Sequence, residues 1–204
     1  MDATAPATRA EAATLLCGVL AGACTTGDVR LIGSMASPGQ EDAFSDIDVR
    51  WTIPPDQAAA QFETLRATLR RVGVVESLRV DPEPRSDWRL VFVRFTGWPL
   101  WWRVDLEIHS GDLESRSVRD ADPWSPYESA CMGVVVTLKA LGRRRPEEAE
   151  ALWARALQRV DAPDVAGDWE QRIEVLLERL ERGDPRTADL VGRTRRLTRE
   201  VLSP

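Results

Sequence analysis

The chain is poor in the residues that build structural metal centres and redox sites. It has one histidine, His109, and three cysteines, Cys17, Cys24 and Cys131, with no Cys-x-x-Cys pair. Too few nitrogen and sulfur ligands remain for a zinc site, and an odd set of thiols fits a reduced, cytoplasmic setting. No stretch is apolar for the 18 or more residues a membrane-spanning helix needs, so no membrane partner is expected. Positive charge is also scarce: 27 basic residues, Lys139 the only lysine among them, stand against 33 acidic ones for a net charge of -6. A long nucleic acid is not an expected partner, because neutralising phosphates requires clustered basic surface.

What remains is an ordinary globular composition. In 204 residues, 43% are hydrophobic and 29% charged, enough for a real core and short of any disordered or collagen-like bias. Residues 12–24 (AATLLCGVLAGAC) resemble the apolar part of an export signal. The charges before them, Asp2, Arg9 and Glu11, sum to negative rather than positive, so the segment reads as an amphipathic first helix.

Apolar periodicity then divides the chain. Residues 28–32 read as a buried strand ending at Gly33-Ser34, and residues 34–45 as a polar loop. Residues 46–53 (DIDVRWTI) alternate Ile47, Val49 and Trp51 against Asp46, Asp48 and Arg50, as a half-exposed strand does. Helical spacing marks residues 56–72. Strand-like stretches follow at 74–80, 88–95 and 101–109. From Pro126 onward the period is helical, with segments at 126–142, 146–159, 168–182 and 185–202. The reading is an α+β domain over residues 1–122 followed by a helical domain over 123–204, with no internal repeat.

The chemistry concentrates in acids. Asp46 and Asp48, one residue apart on a strand, project from one face, and two such carboxylates repel unless a cation lies between them. Magnesium, which prefers hard oxygens and keeps positions for water and phosphate, suits that pair. Asp105 is a third acid, out of place in the otherwise apolar WWRVDLEI, and joins the pair if its strand is a neighbour of theirs. Gly33 permits close approach of a phosphate to the backbone, with turn N–H groups and the Ser34 hydroxyl as donors.

This order, Gly33-Ser34, an eleven-residue connection, Asp46-Ile47-Asp48 and then Val104-Asp105-Leu106, resembles the DNA polymerase beta-like nucleotidyltransferase superfamily. The helical tail resembles that of bacterial aminoglycoside and other small-molecule nucleotidyltransferases. The resemblance implies a small mixed β-sheet core flanked by helices, then a C-terminal helical bundle. It also implies transfer of a nucleoside monophosphate from a nucleoside triphosphate, ATP being the expected one, to a hydroxyl of a small aminoglycoside-like acceptor, with release of pyrophosphate. Asp46 and Asp48 would bind two magnesium ions, and Asp105 would bind the catalytic one and help deprotonate the acceptor. Gly33, Ser34 and Lys139 would hold the triphosphate. After the Gly-Ser pair many relatives continue with an arginine, where this chain has Met35-Ala36-Ser37-Pro38-Gly39. A protein-modifying enzyme of toxin–antitoxin type and a regulatory nucleotide-binding module share the same core and are the alternatives.

Other conspicuous residues have plainer readings. Glu107 and His109 share the strand face of Asp105 and suit an exposed salt bridge and polar packing. Trp98, Trp101 and Trp102 suit core packing, with room for some to line an acceptor pocket. Arg143 to Arg145 and Arg193, Arg195, Arg196 and Arg199 suit solvated helix ends.

Overall fold

A computed structural model describes residues 6–24, 26–37, 39–83, 87–111, 113 and 118–202. The chain is α+β and separates into two compact units, Met1–Trp124 and Ser125–Pro204.

The first unit opens with α1 (Arg9–Ala21). Thr8 caps it: the Glu11 N–H donates to the Thr8 hydroxyl at 3.2 Å, and the Glu11 carboxylate accepts from the Thr8 N–H at 3.1 Å, so exposed donors of the first turn are satisfied. Then come β1 (Asp28–Leu31), β2 (Ile47–Thr52), α2 (Pro55–Leu69), β3 (Val75–Val80), β4 (Trp88–Phe95) and β5 (Val104–His109). The five strands form one mixed sheet in the order β1-β2-β5-β4-β3. All pairs are antiparallel except β2 with β5, which run parallel. Parallel neighbours cannot be joined by a tight turn, and the connection here carries α2, β3 and β4.

Alternation assigns the two sheet faces. Ile47, Val49 and Trp51 of β2, Val104, Leu106 and Ile108 of β5, and Val91, Val93 and Phe95 of β4 are buried in one core with Leu16 and Leu20 of α1 and Phe62, Leu65 and Leu69 of α2. The intervening residues, Asp48 on β2 and Asp105, Glu107 and His109 on β5, occupy the opposite face and are only partly buried.

Three sequence expectations shift. The strand expected over 101–109 begins at Val104, because Pro99 starts a 3-10 turn over Leu100–Trp102, closed by the Trp102 N–H on the Pro99 carbonyl at 2.9 Å. A proline N-terminal to the turn has a fixed φ that favours such a start. Trp101 and Trp102 therefore lie on a turn and do not alternate across a strand. The helix expected over 185–202 starts later, since Pro185–Thr187 forms a 3-10 turn capped by Asp184 before α6. The first helix is less two-sided than expected, with apolar Leu15 left 41% exposed opposite a buried Leu16.

The second unit comprises α3 (Pro126–Gly142), α4 (Pro146–Gln158), α5 (Trp169–Gly183) and α6 (Ala188–Leu202). Ser125 and Asp168 cap α3 and α5 through their side chains. Gly133 of α3 lets α4 approach closely: a Cβ there would stand 2.7 Å from the Ala156 Cβ. Among the described residues no helix is long and apolar enough to cross a membrane.

Candidate active site

The site is assembled where β2 and β5 run side by side. Their register pairs Ile47 with Val104 and Asp48 with Asp105. Partners in neighbouring strands point to the same face, roughly 5 Å apart at the backbone, so the carboxylates of Asp48 and Asp105 are neighbours on the face turned away from the core. Asp46 immediately precedes β2, anchored by the Ile47 N–H on the Arg103 carbonyl at 2.9 Å. The residues before it form a tied turn. The Asp42 N–H donates to the Ser45 hydroxyl at 3.1 Å, that hydroxyl donates to the Asp42 carboxylate at 3.1 Å, and the Phe44 N–H donates to the same carboxylate at 2.9 Å. Arg9 of α1 secures the turn from outside by donating to the Ser45 carbonyl at 3.1 Å.

Gly33 meets Asp48 from β1. The Ile32 N–H bonds the Asp48 carbonyl at 3.0 Å, and Gly33 then turns with φ of +62° into a short 3-10 turn, Gly33–Ala36. A Cβ at Gly33 would lie 3.0 Å from the Asp48 carboxyl carbon and collide with its Oδ2. Both the left-handed backbone and the contact with the carboxylate thus demand glycine here. Ser34 follows, half-buried, in the same turn.

An arginine missing from the sequence-based site stands at its centre. Arg103 grips Asp105 through both guanidinium arms, Nε to Oδ1 at 2.6 Å and a terminal nitrogen to Oδ2 at 2.7 Å. Its guanidinium carbon lies 5.0 Å from the ring centre of Phe92, the β4 residue in register with Asp105. Burial pulls the Arg103 pKa down, but the negative charges of Asp105, Asp46 and Asp48 outweigh that and hold it above the ordinary arginine value. The sequence signal was an Arg-x-Asp spacing at the head of a strand. With 27 basic residues almost all arginine, composition gave no reason to single it out.

The remaining residues divide between this site and the rest of the fold. Glu107 accepts from Arg50 at 2.9 Å and pairs with His109 at 3.1 Å, while His109 stacks on Trp88 with ring centres 5.6 Å apart. Burial pushes the Glu107 carboxyl up, but its hydrogen bonds to Arg50 and His109 and their charges bring it below the usual glutamate range. Trp98 packs on Phe95 at 4.4 Å and edge-on to Trp102 at 6.3 Å in the core. Trp101 meets Phe44 edge-on at 5.2 Å, next to the turn that delivers Asp46. Lys139 is buried within α3, in the second unit. Arg195, expected at a solvated helix end, bridges Glu174 and Glu181 at 2.8 and 2.9 Å.

Asp46 and Asp48 offer hard carboxylate oxygens, the donor type that magnesium prefers. Among the described residues no cluster of three or more His, Cys, Asp or Glu side chains is arranged to hold a metal ion. Compared with known proteins, the chain matches no family model, no curated protein and no solved structure.

Proposed function

We propose that the chain is a magnesium-dependent nucleotidyltransferase that moves a nucleoside monophosphate, from ATP in the first instance, to a hydroxyl of a small acceptor. The observation that carries this reading is the placement of Asp48 beside Asp105, with Gly33 folded against the Asp48 carboxylate. Magnesium held by Asp46 and Asp48 would neutralise the triphosphate. The N–H groups and hydroxyl of the Gly33-Ser34 turn would donate to phosphate oxygens beside those acids. Asp105 accepts the hydrogen bond and then the proton of the acceptor hydroxyl, whose oxygen forms the new bond to the α-phosphorus as the bond to pyrophosphate breaks. Positioning and charge compensation supply most of the rate in such transfers. The net charge of -6 favours a cationic acceptor of the aminoglycoside kind over RNA.

The test is incubation with α-labelled nucleoside triphosphates, magnesium and a panel of aminoglycosides, followed by the same reaction in cell lysate. Label on a small molecule is the expected result. Label on a protein band would assign the protein-modifying alternative, and nucleotide binding without transfer would assign a regulatory module.

A further inference from the structure

We propose that the cavity at the end of the sheet where β2 and β5 finish is a binding site for a linear polyamine. The site is separate from the acids at the start of those strands and does not depend on the nucleotidyltransferase reading. Asp105 lies four residues before His109 on β5, roughly 13 Å back along the strand.

The cavity has a volume of about 440 Å³, within the roughly 300–1,000 Å³ of small-molecule sites. Its wall is apolar where the chain enters α2, at Ile53, Pro54 and Pro55. That helix start offers an anion little, because Pro54 and Pro55 have no N–H to donate. No lysine or arginine lines the cavity, whereas Asp28 and Asp87 stand on its two flanks. Asp28, Thr52, His109 and Trp88 form one row across β1, β2, β5 and β4, and Asp87 adjoins Trp88. The two acids are thus about three strand spacings apart, roughly 14 Å at the backbone. A single metal ion or ammonium group does not span that gap, but a methylene chain with an amine at each end does. Asp28 meets Arg30 in an ion pair exposed on both sides, a weak competitor for an ammonium group. Ser110, which follows β5, lines the cavity between the two flanks. Its N–H donates to the Asp87 carbonyl at 3.1 Å, yet its hydroxyl is buried, the residue being 7% exposed, and has no hydrogen-bond partner among the described residues. A buried hydroxyl left unpaired is costly, and an amine in the middle of the bound chain supplies the missing bond.

The experiment is a calorimetric titration of spermidine into the full chain without nucleotide, with butylamine as a single-amine probe and Mg2+ as a compact dication. One spermidine is expected to bind at least about tenfold tighter than either, because linked amines engage both flanks at once. Asp28→Asn and Asp87→Asn, both at exposed positions that leave the fold standing, should each weaken it about threefold or more, as exposed ion pairs do. Ser110→Ala should weaken it about tenfold, the scale for a hydrogen bond to a charged group. Without amine, Ser110→Ala should melt no lower than the wild type, since the hydroxyl it removes has no partner, and this separates lost binding from lost folding. Asp48→Asn should bind spermidine as the wild type does. No saturable binding, equal affinity for spermidine and Mg2+, wild-type affinity in the three cavity variants, or loss of binding in Asp48→Asn would overturn the proposal.

Discussion

Asp48 and Asp105 stand in register on the parallel strands β2 and β5, although 56 residues of chain, the whole of α2, β3 and β4 among them, separate the two. A parallel pair places equivalent residues side by side along the sheet, so carboxylates remote in sequence become immediate neighbours. They share the face opposite the core, which lets them be charged without being buried in apolar packing.

Replacing either acid by its amide tests its part in the chemistry. Asp48→Asn and Asp105→Asn are each expected to lower nucleotide transfer by about a hundredfold or more, the scale for removing one preorganised charged group. The melting temperature of Asp48→Asn should change little, because the residue lies off the core, whereas Asp105→Asn should also melt lower, because it leaves the enclosed Arg103 guanidinium without its carboxylate. Transfer at the wild-type rate by Asp48→Asn would remove that residue from the site.

Gly33 offers a test of backbone against contact. Gly33→Ala incurs the left-handed backbone at φ of +62° and a collision with the Asp48 carboxylate, and should cost about 2–4 kcal/mol of stability together with most of the activity. Gly39 has φ of +80° with nothing within 4 Å of an added Cβ, so Gly39→Ala should cost only about 1–2 kcal/mol, the backbone part. Denaturant midpoints of the two variants provide the comparison, and equal losses would show that the contact with Asp48 contributes nothing.

Phe92 supports the Arg103–Asp105 pair from β4. Phe92→Leu keeps an apolar residue but removes the ring face, and should cost about 0.5–2 kcal/mol, the range for a partly desolvated cation over an aromatic ring. A double-mutant cycle with Arg103→Gln should show a coupling of that size. Additive losses would place the ring outside the interaction.

Acid should weaken the first unit through Glu107. Its folded pKa lies below the unfolded value, so its contribution is fully present above the ordinary glutamate range and is lost as pH falls through the lowered folded value. Glu107→Gln is expected to lose about 1 kcal/mol at pH 7, as partly exposed ion pairs do, and to flatten the fall in stability toward acid. Urea unfolding of both proteins from neutral pH down to about pH 3, below the ordinary glutamate range, measures this. Parallel pH curves would exclude Glu107 as a source of the acid sensitivity.

Local pattern made much of this protein legible in advance. The two-residue alternation of β2 set Asp46 and Asp48 against Ile47 and Val49, and the change of period beyond Pro126 marked the helical region, because strand and helix periodicities are properties of a few consecutive residues. Gly97 and Pro99 marked a turn, but that it continues through Trp102 was less legible, since aromatic residues favour strands and the proline's effect on the following residues depends on how they pack. Only tertiary structure decided that β5 lies beside β2, that Gly33 closes on Asp48, and that Arg103 fills the space beside Asp105. Strand order is chosen by the burial of whole faces, and a cation's partner by which carboxylates that choice brings within reach; neither is written in the spacing of neighbouring residues.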